Sequence, residues 1–114
     1  MQEQGRNSFQ IEGVLTELGA LRHSPAGVPV LMGRIGHRSR QIEAGAPRDV
    51  GLELAVVAVG EKAALLAAAR LGCSVSLTGF LAARSLRSRT PVLHIDTIEF
   101  LEGMNHGIQA CSQA

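Results

Sequence analysis

Tryptophan and tyrosine are absent from this 114-residue chain, and Phe9, Phe80 and Phe100 are its only aromatic rings apart from histidine. A ligand site built from several stacking rings is therefore excluded. Cysteine is almost as scarce: Cys73 and Cys111 lie far apart, with no CxxC pair and no neighbouring histidine, which argues against a metal ribbon. They read as free thiols in a reducing compartment, structural rather than reactive. His23, His37, His94 and His106 are scattered without HxxE or HxxxH spacing, and GxxxxGK, GxSxG and a GxGxxG after a first strand are missing. Metal, phosphate-loop and hydrolase chemistry thus have no anchor. Asp96 and Glu99 are the carboxylates best spaced for acid–base work, and an exposed strand edge is the setting expected for them. No catalytic residue, metal or cofactor is assigned, and the chain does not read as an enzyme.

Long apolar runs are missing too. Residues 55–71 are interrupted by Glu61, Lys62 and Arg70, short of the ~18 uninterrupted residues of a membrane span. The opening MQEQGRN has no apolar core of a signal peptide, so a cytoplasmic protein without a membrane partner is expected.

The most informative absence is acidic charge in two windows. No Asp or Glu occurs between Leu18 and Ile42, which holds Arg22, Arg34, Arg38 and Arg40, or between Lys62 and Ile95, which holds Arg70, Arg84, Arg87 and Arg89. A formal net charge of +1 conceals this segregation. If the fold brings both windows to one surface, that surface has the electrostatic footprint of a polyanion binder.

What is present is strand pattern. Residues 8–18 (SFQIEGVLTEL) alternate, then change phase after Gly13, as a strand bulged at that glycine would. SPAGVP at 24–29 has turn composition, and residues 28–39 resume an extended pattern with Val30, Met32 and Arg34 on one side. RSRQIEAGAPRD at 38–49 reads as a long, mobile connection to a third strand at 50–59. Alanine and leucine dominate 61–71 (EKAALLAAARL) between Gly60 and Gly72, giving one short helix. A fourth strand spans 73–83, a loop RSLRSRTP follows, and a fifth strand at 92–101 changes phase near Thr97. Gly13, Gly33, Gly36 and Gly79 are expected at bulges and bends where a side chain would not fit.

Three strands, a helix, then two strands is the order of an all-β OB fold, a five-stranded Greek-key barrel with one short helix between strands three and four. A ferredoxin-like sandwich would need a second helix. The barrel takes residues 7–103, leaving 1–6 as a flexible N-terminus and 104–114 as a disordered tail. OB barrels bind oligonucleotides over strands two and three and by the loops joining strands one to two and four to five. The acid-free windows cover those places, so Arg34 and its neighbours on strand two join the candidates; a solvated charged face is the alternative.

GHRS at 36–39, EAG at 43–45, the preceding SPAGVP, and GF at 79–80 with VLHIDTIEFLEG at 92–103 resemble the primosomal replication protein N (PriB) family of single-stranded DNA-binding OB folds. The resemblance covers about residues 7–103. It implies a homodimer that binds single-stranded DNA at the replication fork of the bacterial nucleoid and works in replication restart with the helicase PriA and, in some bacteria, with DnaT. By position, the family's basic DNA-facing sites fall on Arg22, Arg38, Arg48, Arg84, Arg87 and Arg89. Relatives carry lysines in a longer loop between strands four and five, and aromatics near the positions of Ala46 and Gly51, which are lost here. Phe9 and Phe100 read as core, while Phe80 could be core or platform. Base–aromatic stacking contributes roughly 1–3 kcal/mol per base, so binding is expected to be largely electrostatic and steeply salt-dependent. An OB module serving only protein–protein assembly is the competing function. A general single-stranded DNA-binding protein fits less well, because this chain ends GIQACSQA rather than in a long tail with an acidic tip.

Overall fold

The elements follow one another as β1 (Phe9–Leu18), β2 (Arg22–His23), β3 (Pro29–Glu43), β4 (Ala46–Val59), α1 (Glu61–Ala67), β5 (Ser74–Ala83) and β6 (Pro91–Phe100). This is a computed structural model, and it describes residues 4–101. Hydrogen-bonded neighbours run β1-β5-β6-β4-β3-β2, and a further β1–β3 pairing closes the sheet into a barrel. All ladders are antiparallel except β4–β6, which is parallel. Five of the strands make the closed OB barrel expected from the element order, and β2 is an extra two-residue strand inside the loop that follows β1.

Alternation decides which residues enter the core. Ile11 and Leu15 of β1, Leu31 and Ile35 of β3, Val56 and Ala58 of β4, Val75 and Leu77 of β5, and Leu93 and Ile95 of β6 point inward and form one buried cluster. Ala63 and Leu66, on one face of α1, join that cluster, so the helix contributes its packing side to the barrel interior. Phe9 and Phe100 pack against the same cluster, as expected.

Several expectations change. Residues 38–49 are no mobile loop: β3 and β4 pair continuously from Val30↔Val59 to Glu43↔Ala46, and the chain reverses at Ala44 (φ 53) and Gly45 (φ 81). Two consecutive positive φ values are the signature of a type I′ hairpin turn. Alanine rarely takes the first position of such a turn, which is why the sequence concealed it. The helix stops at Ala67 rather than near Leu71, because residues 68–73 must turn to carry Gly72 back onto β1, where its N–H donates to the Leu15 carbonyl at 2.8 Å. In β1 the register shift lies between Leu15 and Glu17, not at Gly13.

Three glycines are nonetheless places of close approach. A Cβ at Gly13 would sit 2.6 Å from the Gly36 carbonyl oxygen, one at Gly33 would sit 2.7 Å from that of Glu17, and one at Gly79 would sit 1.9 Å from that of His94. Gly36 is different, its added Cβ meeting only the Thr16 methyl at 3.5 Å. Gly79 stands at the β5–β6 register shift, where Thr78 faces Thr97 and Gly79 faces Ile95, leaving Asp96 as the extra residue. The phase change near Thr97 is this bulge. Asp96 and Glu99 lie exposed on the stretch of β6 that pairs with β5 alone, beyond the β4 ladder at Leu93 and His94, the edge setting expected for them. Cys73 is buried and disulfide-bonded, which corrects the free thiol expected there. Cys111 and the tail at 104–114 lie outside the described residues.

Candidate nucleic-acid interface

β3 positions the largest share of the arginines. Its inward residues Leu31 and Ile35 force Met32, Arg34, Arg38 and Arg40 onto the outer face of the barrel wall. Arg22 joins the same face through β2, where it stands opposite Val30. From the level of Val30 to Arg40 the stripe runs ~33 Å at ~3.3 Å per residue. Arg48 is not part of it. It lies within β4, not before the strand, and stands opposite Gln41, whose side chain points to the other side of the hairpin.

Ion pairing then divides these side chains. Arg40 Nε lies 3.1 Å from Asp49 Oδ1, its direct cross-strand partner, and Arg48 Nη1 lies 2.6 Å from Glu43 Oε1. Arg34 Nε stands 4.0 Å from Glu17 Oε1, at the outer limit of an ion pair. Among the described residues no carboxylate pairs with Arg22, Arg38, Arg84, Arg87 or Arg89.

The β5–β6 connection is a short, hydrogen-bonded turn. Arg84 N–H donates to the Thr90 carbonyl at 2.9 Å, and Ser85 N–H to the Ser88 carbonyl at 3.0 Å. The Ser85 hydroxyl oxygen accepts from the Arg87 and Ser88 amides at 3.2 and 2.9 Å. This Ser-centred turn holds Arg84, Arg87 and Arg89 outward around Leu86, which is 93% exposed at the tip. Extending the parallel register Val56↔Leu93 backward puts the base of the turn level with Glu53 on β4, two residues from the Arg38↔Gly51 pair. The turn and Arg38 thus belong to one end of one surface, with Glu53 as the acid beside them. Glu12 lines the groove beside Arg38 and Glu53, while Asp96 and Glu99 lie on the outer surface of β6.

One functional-site contact had no sequence signal. His37 faces β1 where the hairpin leaves the barrel, with Nδ1 2.7 Å from the Glu12 carbonyl oxygen and Nε2 2.8 Å from the Ser39 hydroxyl. A carbonyl can only accept, so Nδ1 carries the proton and donates. Gln41 Nε2 donates to the same hydroxyl at 2.9 Å. The imidazole thereby ties the hairpin to β1. It also walls a groove of about 630 Å³ that includes Val14, Arg38, Leu52 and Ser74.

Among the described residues no three His, Cys, Asp or Glu side chains are grouped to hold a metal, and no helix is long and apolar enough to cross a membrane.

Comparison with known proteins agrees with this fold. A family model described as another single-strand binding protein family matches residues 7–97. The chain is 38% identical over 97 residues to the replication restart protein PriB of Bordetella pertussis, which covers 85% of this chain and 91% of the relative. It is 34% identical over 90 residues to PriB of Nitrosomonas europaea, covering 79% of this chain and 83% of that one. The solved structure of PriB from Ralstonia solanacearum superposes with a TM-score of 0.78 at 28% identity, over 86% of this chain and all of the other. A Plasmodium falciparum SSB, solved in complex with single-stranded DNA, shares the fold at 15% identity with a TM-score of 0.72, over 90% of this chain and 100% of that one.

Proposed function

We propose, because the chain belongs to the PriB replication restart proteins of the single-strand binding family, that it binds single-stranded DNA and bridges it to the restart helicase PriA. The observation that carries this reading is the turn of Arg84, Arg87 and Arg89, exposed and without ion pairs among the described residues, at the same end of the surface as unpaired Arg38. Each guanidinium can engage a phosphate in a two-pronged hydrogen bond. Released counterions then supply most of the binding free energy, without regard to sequence. Arg22 and Arg34 extend the track along β3, and Arg34 must share itself with Glu17.

The protein acts as a binding module of the cytoplasm, assembling at the fork rather than catalysing a reaction. It forms a homodimer, and the open edge of β1 supports this: residues 9–13 pair with β5 on one side, while the β3 pairing begins only at Val14. DnaT is a further partner of the same assembly. The internal pairing of Arg40 and Arg48 favours a second reading, a protein–protein module of the primosome with weak DNA binding. Anisotropy of a labelled oligo-dT and a matched duplex across a salt series separates the two. The DNA-binding reading expects preference for the single strand and a steep slope that flattens in an Arg84/Arg87/Arg89→Ala variant. Unchanged binding by that variant would refute the turn as the site. Light scattering in solution tests the dimer, and capture of purified PriA on an oligo-dT matrix only when this protein is present tests the bridge.

A further inference from the structure

Of the three phenylalanines, Phe80 alone is exposed, at 47%. It stands directly opposite His94 in the β5–β6 ladder, and the two rings lie parallel, 5.0 Å between centroids with an interplanar angle of 6°. Offset stacking at this distance is a favourable arrangement, and it holds the phenyl ring in one orientation. The same row continues across the barrel wall: His94 is level with Val57 on β4, and Val57 is opposite Met32 on β3. These side chains share the outer face. Apart from the His94 imidazole the row is apolar, with Val57 at 8% and Met32 at 40% exposure.

Its position gives the row a meaning that a scattered surface phenylalanine lacks. The next row carries Arg34, opposite Ala55. Arg84 follows Phe80 by four residues, ~13 Å along the strand at ~3.3 Å per residue. A flat apolar ring, already immobilised, therefore lies on β5 a short way before the arginine turn, with Arg34 and Arg84 both on the turn-ward side of its row. Immobilisation before binding lowers the ordering cost of forming a stack.

We propose that Phe80, held by His94, is a platform on which one nucleobase of a bound single strand stacks, so that the β5–β6 surface forms a base subsite beside the arginine turn. The inference rests on the single-stranded DNA reading above and adds to it a contact that salt does not weaken. A π-face is common to every base, so the subsite accepts any of them.

The test compares wild type, Phe80→Ala and Phe80→Trp with labelled oligo-dT and with a strand of equal length made of abasic sites. Phe80→Ala should weaken oligo-dT binding by roughly 5- to 150-fold, the range for losing one stacked base, while leaving the salt slope and the abasic affinity as in wild type. Because the chain has no other tryptophan, emission of Phe80→Trp reports the site directly, even if the alanine variant fails to fold. It should be quenched by oligo-dT and not by the abasic strand. Equal binding of oligo-dT by wild type and Phe80→Ala would overturn the platform while the DNA reading stands. So would equal losses on both strands, or emission that ignores the bases. Loss of PriA capture alone, with DNA affinity kept, would assign the row to a protein partner instead. No binding of either strand by wild type would overturn both readings together.

Discussion

On the β3–β4 hairpin, Arg40 and Arg48 each hold a carboxylate within 3.1 Å, while on the β5–β6 turn Arg84, Arg87 and Arg89 hold none among the described residues. The residue type is the same, and so is the exposure. What differs is the backbone. A ladder sets a residue from one strand opposite a residue from the other, so Arg40, from a stretch without acids, meets Asp49 from outside it. The turn folds on itself, and the segment feeding it has no acid from Glu61 to Asp96. Absence of acid along the chain therefore guarantees free positive charge only where the structure is local. On a paired strand the neighbour across the ladder decides.

Variants can break this contrast or sharpen it, and the largest effect belongs to the turn. Removing all three of its guanidinium groups, with Arg84/Arg87/Arg89→Ala, should reduce the single-strand salt slope by about 2 and the affinity by about 100-fold near 0.1 M salt, at ~0.7 per phosphate contact. Anisotropy in a salt series reads both quantities. A single unpaired arginine on β3 should behave as one third of that: Arg38→Ala is expected to lower the slope by ~0.7 and the affinity by ~5-fold.

The contrast itself breaks with Asp49→Asn, which releases Arg40 and turns a hairpin arginine into one of the kind found on the turn. Affinity should rise, by at most ~5-fold, with a steeper slope. No rise would mean that Arg40 does not face the strand of DNA. Arg48→Ala, on the opposite side of the hairpin and paired with Glu43, should change affinity by less than ~2-fold, well below one free phosphate contact. The smallest effect concerns the hairpin's frame. Ala44 occupies φ 53, a left-handed conformation that costs an alanine roughly 1–2 kcal/mol and asparagine less. Ala44→Asn should raise stability in urea by up to about 1 kcal/mol and leave DNA affinity unchanged.

Much of the frame was legible beforehand. Period-two alternation in residues 8–18, 73–83 and 92–101, an alanine-rich helix in the right place and the order of elements were enough to name the barrel. The connection at 38–49 was misread because Gly45 and Pro47 have turn composition, although Pro47 sits in a strand whose partners at that end are exposed and the reversal is made by Ala44 and Gly45. Of the candidate site, the turn arginines needed no tertiary information. Arg48 did, since one residue of offset along β4 reverses the face on which its side chain lies. Phe80 could not be assigned from sequence, because alternation put it on the polar face without saying whether anything covered it.

The sequence by itself determined the order of the five barrel strands and the helix, the scarcity of rings and the clustering of unopposed positive charge on the β5–β6 turn, all of which follow from local pattern. Only the tertiary structure decided which arginines are neutralised, that His37 fastens the hairpin to β1, and that Phe80 stands stacked and open beside the arginines. Each of those depends on register between strands distant in sequence. Hydrogen bonds and ion pairs act over a few ångströms, so no pattern along one strand contains the identity of the residue that the ladder places across from it.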